Sequence, residues 1–162
     1  MPPNINKKDY RLADMSMPPD EVVPYPEPDE TAEIIEDSID MAEFGTVLYV
    51  REWRDSDDTV KQYALMLNVT PAHNAYGRCK ELKGDQANFE QVRRTDTWHS
   101  TVHSHQYFID CDYCDKQVHE KLVGGIREEE SRRVVNGTFQ KHYNRMLYDP
   151  FNYLDRWEAG KP

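Results

Sequence analysis

The stretch Thr59–Thr70 sets the tightest condition on how this chain folds. In an extended conformation Tyr63, Leu65, Leu67 and Val69 share one face, and Ala64 and Met66 lie on the other. Both faces are apolar near the centre, so the strand belongs inside a sheet, with neighbours on each side. Thr46–Trp53 supplies one neighbour, joined through the polar turn Arg54-Asp55-Ser56-Asp57-Asp58. Further strands are predicted at Gly77–Leu82, Phe89–Arg94 and Thr101–Ile109. Sequential strands with short links pair antiparallel.

After Cys114 the apolar period changes. A short helix is predicted over Lys116–Val123, broken at Gly124-Gly125, and a longer one from Ile126 to about Leu147. In the longer helix Val135, Phe139, Tyr143 and Leu147 form an i, i+4, i+8 stripe flanked by Val134 and Met146. Gly137 lies inside this run and Pro150 stops it. Phe151, Tyr153, Leu154 and Trp157 then either cap the core or dock a partner. The expected architecture is α+β: a small antiparallel sheet of four to five strands with C-terminal helices packed on one face.

Residues 1–41 read differently. Seven of the ten prolines fall in the first forty residues, and eleven acids there face only Lys7, Lys8 and Arg11. That is a net of −8 out of −10 for the whole chain, which leaves −2 on residues 41–162. Such composition predicts a disordered acidic tail, with a short helix over Glu33–Met41 suggested by Ile35 and Ile39 at i, i+4. A single α+β domain is expected over 42–162. An acidic chain is a poor default nucleic-acid binder, but that argument weakens once the tail is set aside. The N-terminus shows no apolar signal segment, no run approaches a membrane span, and the three cysteines are an odd number. A cytoplasmic protein with reduced thiols and no membrane partner is expected.

The chemistry concentrates between Arg93 and His119, which hold four of the six histidines and two of the three cysteines. In the strand Thr101–Ile109, His103, His105 and Tyr107 point the same way, and His99 joins them if the extended conformation reaches back to it. Imidazoles titrate near neutral pH and suit acid–base work. A ribonuclease that needs no metal requires a base for the 2′-hydroxyl, an acid for the leaving oxygen and cations for the phosphate. His99, His103, His105 and Tyr107 are the candidate catalytic groups. Arg93, Arg94, Asp96 and Arg78 are the candidate substrate-binding groups, with aromatic residues nearby for stacking bases. The bland alternative is a polar sheet face with scattered histidines.

A second chemistry competes for the same stretch. Cys111-x2-Cys114 has a spacing common at zinc, and His105 and His119 flank it. Four such ligands would make a non-enzymatic, zinc-stabilised interaction module. No second C-x2-C accompanies the first, and two ordinary thiols in a polar loop satisfy the same pattern. No Gly-rich phosphate loop, G-x-S-x-G or H-E-x-x-H occurs.

The run Arg94-x-Asp96-x2-His99, followed by His103-x-His105, on late strands of a small sheet with a helix behind, resembles TumE-like proteins. These are the toxin side of small toxin–antitoxin pairs. The resemblance covers roughly residues 44–110. Thr97-Trp98 departs from the family pattern, and the acidic leader and the C-x2-C segment are additions to it. The resemblance implies a toxin-like interaction with RNA or translation and an antitoxin-like protein partner.

Overall fold

The computed structural model describes residues 33–84, 88–97, 102–110, 115–120 and 129–160, with 115–120 and 129–132 described by backbone path. Six antiparallel strands form one sheet in simple chain order. They are β1 (Glu33–Met41), β2 (Thr46–Arg54), β3 (Val60–Val69), β4 (Gln91–Asp96), β5 (Val102–Tyr107) and β6 (Asp115–Glu120). Helix α1 (Tyr76–Lys83) lies between β3 and β4, and α2 (Glu129–Tyr148) and α3 (Phe151–Glu158) follow the sheet. The α+β class and the C-terminal helices agree with expectation, and the sheet is longer than four to five strands.

β3 occupies the position that its two apolar faces require, between β2 and β4. Tyr63, Leu65, Leu67 and Val69 are buried on the face that the helices cover. α2 packs on β3 through Val135, Phe139 and Met146, while α3 packs on β4 and β5. The predicted stripe is therefore the face that α2 buries. Two polar bonds fix its axial position. Val60 N donates to Asn136 Oδ1 at 3.1 Å, and Tyr63 Oη donates to Thr138 Oγ1 at 3.0 Å. Gly137 sits between them on the exposed side, where a helix tolerates it. Tyr153, Leu154 and Trp157 of α3 are buried, so this segment caps the core.

Four expectations are corrected. Gly77–Leu82 is not a strand but the body of α1. Ala75, Cys79 and Lys83 are its buried positions, a spacing of four that suits a helix, and the segment has no β-branched residue. Glu33–Met41 is a strand, not a short helix, and all nine residues pair with β2. Ile35 and Ile39 share a face in either conformation, because four is an even number as well as about one helical turn. The ladder with β2 decides between them. Residues 33–41 thus belong to the sheet, although the sequence assigns them to the tail; residues 1–32 lie outside the described residues. Lys116–Glu120 is part of β6, not a helix, and its pairing with β5 accounts for the extended conformation. Residues 121–123 of that expected helix lie outside the described residues.

The β1–β2 turn shows why a glycine is needed there. Gly45 has φ +65°, and a Cβ on it would lie 2.7 Å from the backbone N and Cα of His73. His73 in turn stands edge-on to Trp157, with ring centroids 5.7 Å apart. The turn, the β3–α1 connection and α3 therefore lock together at one end of the sheet.

Candidate functional site

The alternation of β4 and β5 divides their residues between two environments. On the helix-covered face, Thr95 Oγ1 and Ser104 Oγ share a hydrogen bond of 2.7 Å. Arg93 Nη1 donates to Gln106 Oε1 at 3.1 Å, and the Arg93 guanidinium lies 4.2 Å from the centroid of the Tyr153 ring. Gln106 Nε2 lies within 3.1–3.2 Å of the carbonyls of Val92, Tyr107 and Tyr153. All four of these strand side chains are buried. They tie β4, β5 and α3 together.

The opposite face carries Arg94, Asp96, His103, His105 and Tyr107. Register sets Asp96 across from His103 and Arg94 across from His105, with Ala64 and Met66 of β3 beside them. His103 Nε2 lies 2.9 Å from Asp96 Oδ1. Arg94 Nε lies 2.6 Å from Asp96 Oδ2. The Asp96 and His103 side chains are each 4% exposed and Arg94 is 39% exposed, so the carboxylate is enclosed between its two cationic or proton-donating neighbours. The Arg94–Asp96 contact is close but not aligned as a hydrogen bond, so Arg94 acts on the carboxylate through its charge, which a low-dielectric setting strengthens. The His103 and His105 rings meet edge to face at 5.1 Å, and the His105 and Tyr107 rings are near parallel at 6.3 Å. His105 and Tyr107 are half-buried. On the next strand, register sets His119 across from His103 and Gln117 across from His105.

Chemically, the arrangement is a carboxylate that orients one imidazole, with a second imidazole in ring contact. A neutral His103 that donates from Nε2 to Asp96 carries its lone pair on Nδ1. One donor atom from each of Asp96, His103 and His105 lies within 4.8 Å of the other two, close enough for all three to converge on a single cation after a small side-chain movement.

The candidate residues from sequence separate accordingly. His103, His105, Tyr107, Arg94 and Asp96 come together on one face. Arg93 is next to Arg94 in the chain but points to the helix-covered side, because successive strand residues alternate. Arg78 lies on α1, paired with Asp110 at 3.1 Å, away from the cluster. His99, Cys111 and Cys114 lie outside the described residues. The role missed in the sequence is that of Asp96 as the partner of His103. Its signal was present in the matched alternations Arg94-x-Asp96 and His103-x-His105, which an antiparallel hairpin of suitable register sets opposite one another. Among the described residues, no helix is long and apolar enough to cross a membrane.

No protein-family model, curated protein or solved structure matches the chain.

Proposed function

We propose that this protein is a toxin-like partner in a toxin–antitoxin pair, acting in the cytoplasm on RNA through the Asp96–His103–His105 face. The observation that carries the reading is the buried contact of 2.9 Å between His103 Nε2 and Asp96 Oδ1, next to a second, half-buried imidazole. The two imidazoles form an acid–base couple. One takes the proton of a ribose 2′-hydroxyl as that oxygen attacks the adjacent phosphorus, and the other protonates the departing 5′-oxygen. The products are a 2′,3′-cyclic phosphate and a free 5′-hydroxyl. Asp96 holds His103 in one tautomer, and Arg94 adds positive charge on the same face for the phosphate. The Tyr107 ring lies near parallel to the His105 ring on the same face, with centroids 6.3 Å apart.

The test is cleavage of a single-stranded oligoribonucleotide, with the products analysed for a cyclic phosphate end. His105→Ala should lower the rate at least a hundredfold, as expected for loss of an acid–base group. Expression in a bacterial host should slow growth, and His103→Ala with His105→Ala should relieve the effect. Wild-type protein that leaves RNA intact and growth unchanged refutes the reading.

A second reading draws support from the backbone register of β5 and β6, which brings the His119 position beside the strand that carries His105. In that reading Cys111, Cys114, His105 and His119 hold one structural zinc, and the protein is a non-enzymatic interaction module. About one zinc per purified chain, lost in Cys114→Ser, supports it. Zinc-free protein whose melting does not respond to added zinc excludes it.

A further inference from the structure

We infer that the Asp96–His103–His105 cluster is a binding site for a divalent transition-metal ion, and that the ion regulates the acid–base face by occupying its lone pairs. The regulatory half rests on the acid–base reading above; the binding half does not. The site is distinct from the cysteine-containing set, with which it shares only His105.

Two imidazole nitrogens and one carboxylate suit zinc and its first-row neighbours, whereas magnesium and calcium prefer oxygen alone. The spacing of the donors suits such an ion as well. With bonds of about 2.1 Å, neighbouring donors on one ion stand about 3.0–3.4 Å apart, depending on whether six or four ligands are held. Asp96 Oδ1 and His103 Nε2 are already 2.9 Å apart, and the His105 donor falls inside the 4.8 Å span; the ion takes the place of the Nε2 proton, which passes to Nδ1, so His103 ligates as its other neutral tautomer. A movement of the His105 ring of at most about 1.5–2 Å brings the three donors to the spacing of one ion.

The donors are also supported from outside. Arg94 lies against the second carboxylate oxygen at 2.6 Å, so Asp96 is oriented from behind while its first oxygen faces His103. Partners in this position fix ligand direction at metal sites. Three strands also hold the donors at fixed heights. Ala64 and Met66 of β3 flank Asp96 and Arg94, and β5 presents both histidines at alternate positions. Ligands on paired strands keep their geometry better than ligands on a loop.

The consequence for the acid–base face follows from electron pairs. With the ion on Nε2 and the displaced proton on Nδ1, His103 keeps no lone pair for the proton of a 2′-hydroxyl, and the metal-bound nitrogen of His105 has none either. Metal binding and imidazole-catalysed cleavage are therefore mutually exclusive at this cluster.

The test is calorimetric titration of the full chain with zinc chloride, on wild type, His105→Ala, Asp96→Asn and the double variant Cys111→Ser with Cys114→Ser, with far-UV circular dichroism on each. RNA cleavage is measured in parallel across the same zinc concentrations and after chelator is added. Wild type and the cysteine double variant should bind one zinc with similar affinity. His105→Ala, at a half-buried position, should weaken binding at least tenfold while keeping the wild-type circular dichroism spectrum, and Asp96→Asn should do likewise while keeping the side-chain shape. Cleavage should fall as the site fills and return with chelator. Absence of zinc binding by wild type, or unchanged binding in His105→Ala, overturns the site. Loss of binding in the cysteine double variant overturns it in favour of a thiolate site. Zinc binding with the expected variant pattern but no RNA cleavage upholds the site and refutes the acid–base reading. Cleavage that persists with the site filled overturns the regulatory half.

Discussion

Gln106 offers the sharpest test of how the candidate face is held. It is fully buried on the helix-covered face, yet it sits between His105 and Tyr107 in the chain. Its amide has two hydrogens directed among three carbonyls, and its oxygen accepts from Arg93. Gln106→Leu keeps much of the volume and removes every one of these bonds. A hydrogen bond to a charged group contributes about 1.5–3 kcal/mol, and each buried neutral group left unpaired costs about 1–3 kcal/mol. Two neutral carbonyls and one guanidinium hydrogen lose partners, and the added apolar side chain offsets about 1 kcal/mol. The expected net loss is about 2.5–8 kcal/mol. With a urea m-value of about 2 kcal/mol per molar, the unfolding midpoint should fall by at least about 1.2 M. A companion variant separates the network from its parts. Arg93→Met together with Gln106→Leu should cost less than the sum of the two single changes, by at least about 1 kcal/mol, since neither then strands the other. A loss under about 1 kcal/mol for Gln106→Leu, or strict additivity, would refute the claim that this network holds β4 and β5 in place.

Two further outcomes follow from the fold. His73 has its pKa lowered, chiefly by burial and against a smaller raising effect of Glu158, and its Nδ1 accepts a hydrogen bond from Ala75 N at 3.0 Å. The unfolded chain then binds the proton more readily than the folded one, so stability is fully present above about pH 6.5 and declines as pH falls through that value. His73→Gln keeps an acceptor without the titration, and urea melts at pH 7.5 and 5.5 should show a smaller drop for it than for wild type. Deleting residues 1–40 removes nearly all of β1, which covers one edge of β2, whereas deleting residues 1–32 leaves the strand whole. The longer deletion should be less stable than the shorter by at least about 3 kcal/mol, since the ladder with β2 and the half-buried Ile35 and Ile39 go with it, Ile39 opposite Leu48; equal melting temperatures would contradict the role of β1.

How much of this was legible in the sequence depended on whether one signal had a single interpretation. β3 was clear because apolar residues on both of its faces have one solution, a place inside the sheet. The common face of His103, His105 and Tyr107 was equally clear, since only a period of two was involved. β1 was ambiguous because Ile35 and Ile39 satisfy helix and strand alike, and the deciding partner, β2, is not local. The segment that became α1 was misread because its few apolar residues, Ala75, Tyr76, Cys79 and Leu82, give a weak pattern, and tertiary burial of Cys79 settled it. Asp96 was recognised, but not as the partner of His103, because the pairing depends on the β4–β5 register. Applied to Arg93-Arg94, the same alternation that grouped the histidines would have separated the two arginines; treating them as one basic unit hid that the first belongs to the core.

β5 also carries an evolutionary consequence. Its even-numbered residues, Ser104 and Gln106, hold the interior together, and its odd-numbered residues, His103 and His105, form the candidate site. Point substitutions can alter one set while sparing the other, so stability and chemistry are free to drift separately. A change in chain length cannot do this. Gaining or losing one residue within the strand would turn the histidines toward the interior and the glutamine toward the outside, and both properties would fail at once. Among natural variants of this chain, β5 should therefore vary in composition while its length stays fixed.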